Sequence, residues 1–80
     1  MDSALRAVTE RFPDAGKRVA ELFETDESFR DLCEDYQVCA ATVARLEPSA
    51  SLEQVRKEYA GLLLRLEREL LRYLEEHPSS

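Results

Sequence analysis

The chain has almost no glycine. Gly16 and Gly61 are the only two among 80 residues. No phosphate-cradling glycine loop can be built from them, and a loop-rich fold is disfavoured. Tryptophan is missing, and three Phe with three Tyr are few enough to be mostly core. His77 is the single histidine, and Cys33 and Cys39 are the only cysteines. Their spacing matches no usual zinc pattern, and no Ser-His-Asp set stands at a recognisable spacing. No segment approaches the ~20 apolar residues of a membrane span. No long apolar run follows a basic start at the N-terminus, so no secretory signal is read there.

The cysteines lie six apart on one expected helix. A rise of about 9 Å separates them, beyond the reach of a disulfide. Two small core residues are the reading that fits, because free cysteine buries readily. A reducing cytosol suits them, and a cytoplasmic protein is expected.

What the chain has in quantity is charge and aliphatic surface: 35% charged and 44% hydrophobic. The net charge is -6. A phosphate backbone rewards clustered Lys and Arg, so nucleic-acid binding is not expected. The acidity is local. Residues 24–47 hold seven acids against Arg30 and Arg45, whereas residues 1–23 balance and residues 48–80 carry six acids and five bases.

Phe29, Leu32, Tyr36, Cys39, Val43 and Leu46 recur in alternating steps of three and four. After a Pro-Ser-Ala-Ser break, Leu52, Val55, Tyr59, Leu62, Leu66, Leu70 and Tyr73 do much the same. Two such helices joined by a short turn must fold back on each other to hide those faces. The expectation is one all-α domain over residues 1–80, an antiparallel, coiled-coil-like helical hairpin with one or two short N-terminal helices packed on it. The arms are placed at 26–47 and 52–76. A short helix is expected over 3–11, capped by Asp2 or Ser3 and ended by Pro13, and another over 13–24. Thr25-Asp26 reads as a kink or short turn, although Leu22, Phe29, Tyr36 and Val43 keep a seven-residue register across it. Ser51 with Gln54 forms a capping box for the second arm. Gly61 costs that arm about 1 kcal/mol relative to alanine, with no reason visible in the pattern.

Helical geometry then sorts the faces. The inner face of the second arm holds Leu52, Val55, Tyr59, Leu62, Leu63, Leu66, Leu70, Tyr73 and Leu74. Leu64 and Leu71 do not fit it. They stand seven apart on the far side, flanked by the arginine stripe Arg65, Arg68 and Arg72, and two leucines there need a cover. Either the N-terminal segment supplies it, through Leu5, Val8 and Phe12 or Val19 and Phe23, or a second chain does. The outer face of the first arm carries Glu27, Asp31, Glu34, Asp35 and Val38. The interleaved acids make the arginine stripe a salt-laced exterior, with Glu53-Lys57 and Arg65-Glu69 as i,i+4 pairs.

These patterns point to a non-enzymatic protein–protein interaction module, because a two-arm hairpin offers little concavity for catalysis. Its expected contacts are Leu64 and Leu71 with Arg68 and Arg72, and its expected partner is a second copy, a dimer being favoured, or another protein. The alternative is a small regulator whose acidic arm (Asp31, Glu34, Asp35) docks a basic protein surface. No cofactor, metal, nucleic acid or membrane is expected.

The run Phe12-Pro13-Asp14, then Val19-Ala-Glu-Leu22-Phe23, then Asp26-Glu-Ser-Phe29-Arg-Asp-Leu32, resembles the opening of the small bacterial YdcH-like proteins, a domain of unknown function. Val43-Ala-Arg-Leu46-Glu47 and the leucine- and charge-rich stretch 62–74 extend the resemblance over about residues 12–76. The second arm here is arginine-based, where that family is lysine-rich. Gln37-Val38 or Cys39-Ala40 stands where the family has a Leu-Asp pair. The resemblance implies a helical hairpin in a bacterial cytoplasm and supplies no catalytic residue.

Overall fold

The computed structural model describes residues 2–46 and 52–77. Asp2 opens the first helix, α1 (Ser3–Arg11), by accepting the Ala4 amide at 2.8 Å and the Leu5 amide at 3.4 Å. Those are two of the amides that a helix start leaves without intrahelical partners. Pro13 ends α1 by holding Phe12 out of the helical region, at φ -126° and ψ 67°.

The α-helix expected over 13–24 is divided. Pro13–Ala15 forms a 3-10 turn, and α2 runs Gly16–Thr25. No side chain caps α2, and Ala15 leaves helical geometry at φ -108°, ψ 14° while its amide bonds back to the Phe12 carbonyl at 3.0 Å. The tighter turn seats the Ala15 methyl in the core.

Asp26 separates α2 from α3 (Glu27–Arg45), so the first arm begins one residue later than expected and ends at Arg45. Its backbone is extended, its amide closes α2 on the Leu22 carbonyl at 2.8 Å, and its carboxylate accepts the Phe29 amide at 3.1 Å. Arg30 finishes the joint. Its guanidinium donates to the Phe23 and Glu24 carbonyls (3.0 and 3.4 Å), the bare C-terminal carbonyls of α2. The second arm is α4 (Glu53–Glu76), with Leu52 at its cap position. Ser51, which the expected capping box requires, and the turn at 48–50 lie outside the described residues.

α3 is the central element, in contact with α1, α2 and α4. Along the α3–α4 seam, numbers fall on one helix as they rise on the other. Cys39 Sγ donates to the Tyr59 carbonyl (3.4 Å), Tyr36 reaches Glu67, and Asp26 and Phe29 meet Tyr73. The core lies on one half of this pair. Val8 and Val19 close over Phe29, Cys33, Leu70 and Leu74, with Ala4, Ala15, Tyr36, Cys39 and Leu66 around them. Leu5, Phe12, Leu22 and Phe23 pack against its margin.

The inner face expected for the second arm is corrected by this arrangement. Leu66, Leu70 and Leu74 are buried, but Leu52, Val55, Tyr59 and Leu62 stay 36–39% exposed. The spacing is the same before and after residue 63. The difference is coverage, since every residue of α1 and α2 in the core joins Phe29–Cys39 and Leu66–Leu74 and none lies over the start of α4. A pair of helices without a third buries its seam only in part.

Candidate functional site

Leu64 and Leu71 stand seven apart on α4 and point well away from Leu66, Leu64 nearly opposite to it, although Leu71 lies within one turn of the buried Leu74. They are 55% and 47% exposed. The N-terminal segment does not cover them. Its apolar residues Leu5, Val8, Phe12, Val19 and Phe23 are spent on the core they share with Leu66, Leu70 and Leu74, and polar ties to α4 add to that packing. Arg11 holds Glu67 through two N–H groups (2.9 and 3.4 Å), and Arg18 donates to the Leu74 carbonyl at 3.0 Å. Of the two covers the sequence left open, the intramolecular one is absent among the described residues.

Arg65, Arg68 and Arg72 flank those leucines, all three exposed. The salt-laced exterior expected around them is not formed. Glu53 and Lys57 pair at 3.8 Å, but Arg65 and Glu69 do not, and no ion pair holds any of the three arginines among the described residues. Asp31, Glu34 and Asp35 are likewise exposed on α3 and without an ion pair among the described residues. Val38 stands at the end of that acidic line, 59% exposed.

Between α1 and α3 runs an open groove of about 300 Å³. Ala7, Arg6 and Glu10 line it from α1, and Gln37, Ala40 and Ala41 from α3. Arg6 and Glu10 pair with each other across one helical turn at 3.2 Å. The sequence pattern does not announce this groove. Its only trace is that residues 37–44 carry no charge in a chain that is 35% charged as a whole.

The buried reactive groups are set for packing. Cys33 and Cys39 are free and buried. Burial first, then the nearby Asp2 and Glu34 carboxylates, pushes the Cys33 thiol up to about 12, and burial also raises Cys39. A thiol so held stays protonated near neutrality and lacks the thiolate that nucleophilic or metal chemistry requires. Tyr36 donates its hydroxyl to Glu67 Oε2 at 3.3 Å, beside Arg11 on the same carboxylate. Burial and then Glu67 raise its pKa. This Arg11–Glu67–Tyr36 cluster joins residues up to 56 positions apart, a relation no local periodicity encodes. Among the described residues, no group of three or more His, Cys, Asp or Glu is placed to hold a metal ion.

Asp26 is the one carboxylate with a lowered pKa among the described residues. The Tyr73 hydroxyl at 2.5 Å is the largest cause, followed by the Phe29 amide. Tyr73 in turn stacks on His77, ring centroids 4.7 Å apart. A carboxylate whose folded pKa is depressed stabilises the fold above its unfolded pKa, and that contribution is lost as pH falls through the folded value. Asp26→Asn is therefore expected to melt below the parent at pH 5–7, with the gap closing below about pH 4. Thermal melts at stepped pH measure it, and a gap that does not narrow at all as pH falls below about 4 would show that the charge is not what Asp26 contributes.

No family model, no curated protein and no solved structure matches the chain.

Proposed function

We propose that the chain is a non-enzymatic interaction module that self-associates through the back of α4, with Leu64 and Leu71 as its apolar contacts and Arg68 and Arg72 beside them. The observation that carries this reading is the bare pair of leucines. The protein uses both N-terminal helices to close its core and still leaves Leu64 and Leu71 about half exposed. Small domains have a high ratio of surface to core and gain stability by associating. A second copy is the partner proposed, and the cytosol is the setting, where two free buried thiols persist without an oxidant. No helix among the described residues is long and apolar enough to cross a membrane.

Light scattering across the micromolar range tests it. The parent is expected to show a mass above the monomer at tens of micromolar. Leu64→Glu is expected to return it to the monomer with its helical circular dichroism unchanged, because the residue lies outside the core. A parent that stays strictly monomeric at that concentration would overturn the reading.

A second reading has its own observation in Asp31, Glu34 and Asp35, exposed and without an ion pair among the described residues. In it the acidic arm docks a basic protein surface. Such a contact would weaken steeply with salt, since exposed charges are screened, whereas a contact through leucines persists.

A further inference from the structure

We infer that Leu64 and Leu71 of one copy enter the α1–α3 groove of a second copy, so that copies join head to tail and not back to back. The inference rests on the reading of those leucines as contacts and adds which surface receives them.

Charge geometry rules against the back-to-back arrangement. On α4, Arg68 stands midway between Leu64 and Leu71, with Arg65 and Arg72 beside the leucines. A twofold axis that pairs Leu64 with the Leu71 of a second copy sets Arg68 against Arg68 and Arg65 against Arg72. A parallel twofold pairing also sets Arg68 against Arg68. None of these arginines has an acid partner of its own among the described residues to offset the repulsion. Like charges brought together across helices disfavour the pairing and select against it.

The α1–α3 side has the complementary features. Ala7, Ala40 and Ala41 give this open groove small side chains for leucines to meet, the α3 segment 37–44 has no charge to desolvate, and on the α1 wall Arg6 and Glu10 are already paired with each other. Asp31, Glu34, Asp35 and Val38 lie on the same helix beside it. Val38 is within one turn of both Glu34 and Ala41, so its exposed side chain extends the apolar wall toward the acids. Seating Leu64 and Leu71 there brings three arginines of one copy to three acids of the other. Gly61 supports the same contact. It stands one turn before Leu64 on the same line of α4, and a Cβ added to it meets nothing within 4 Å. Nothing among the described residues of its own chain needs a glycine there, whereas a helix approaching closely from outside does.

The ridge belongs to α4 alone and the groove to α1 and α3 alone, so one copy can offer both at once. Such a heterologous contact generates open chains or rings, not a closed dimer. A contact over about three turns of one helix falls below the roughly 1,200 Å² of standard interfaces. The assembly is therefore weak and grows with concentration.

Sedimentation velocity on complementary variants decides between the two arrangements. Leu64→Glu removes the ridge and leaves the groove. Ala41→Arg fills the groove with a cation and leaves the ridge, and Val38→Arg, at a more exposed position, serves if Ala41→Arg loses helical circular dichroism. Each variant alone is expected to be monomeric at concentrations where the parent associates. Mixed in equal amounts they are expected to form a species of twice the monomer mass that grows no further, with an affinity on the order of tenfold or more above that of either variant for itself. If the parent associates but the groove variants associate as well as it does, or if the mixture stays monomeric, the head-to-tail contact is wrong while self-association stands. If the parent itself does not associate at tens of micromolar, the underlying reading of Leu64 and Leu71 fails.

Discussion

Tyr36→Ala is expected to destabilise the fold by about 3–5 kcal/mol, the range for truncating a buried aromatic, while Tyr59→Ala costs only about 1 kcal/mol. The two tyrosines make a matched pair. Both lie on the apolar stripe of a long helix, and both face the α3–α4 seam. Tyr36 is 6% exposed, among the core residues gathered under α1 and α2, and its hydroxyl is bonded to a carboxylate that also holds Arg11. Tyr59 is 37% exposed with no third helix over it. The loss at Tyr36 has two parts: the apolar surface and the cavity left behind, and a carboxylate deprived of one of its donors. A domain of this size has roughly 4–12 kcal/mol in total, so Tyr36→Ala takes a large share of it. Each kcal/mol lowers the melting point by about 4–8 °C in a domain of this length. Urea titrations of both variants measure the contrast. Equal losses would mean that the core extends evenly along the hairpin and that α1 and α2 do not define its limit.

That contrast also marks what could be read from residue order. Asp2, Pro13 and Asp26 act locally, on the amides and dihedrals of their nearest neighbours, so their effects on helix starts and stops are visible in the sequence. The stripe of α3 is likewise visible over its first part, where Phe29, Tyr36 and Cys39 point into one core, whereas Leu32, Val43 and Leu46 are only half-buried. The stripe of α4 misleads at one end. Periodicity reports which side of a helix is apolar, but not how far its neighbours reach along it. Leu62 and Leu66 are indistinguishable by spacing, and only the packing of the N-terminal helices separates them. For the same reason the sequence could leave open, but not decide, whether Leu5, Val8, Phe12, Val19 and Phe23 cover Leu64 and Leu71. The groove was still less legible. It needs two helices far apart in the chain, and its alanines carry no chemical signature alone.

The N-terminal helices thus decide which leucines are core and which remain surface, and Val8→Asp tests that division. Val8 is fully buried among Val19, Phe29 and Leu70 in a core with no buried polar residue. A carboxylate placed there has no partner. Burying it costs several kcal/mol, either as desolvated charge or as the work of protonating it at neutral pH. With a stability of roughly 4–12 kcal/mol available, α1 and α2 are expected to detach or the domain to unfold. Hydrogen exchange should show amides of α1, α2 and the first half of α3 losing protection together. The pH response has a definite sign. Burial raises the pKa of the new carboxyl in the folded state, so its penalty is largest above that raised pKa and diminishes as pH falls below it. The same kind of charge at Leu64 should leave stability within about 0.5 kcal/mol, because that side chain is already half in water. If Val8→Asp melted like the parent, α1 would not be part of the core, and the bare state of Leu64 and Leu71 would no longer mark them as surface set aside for a partner.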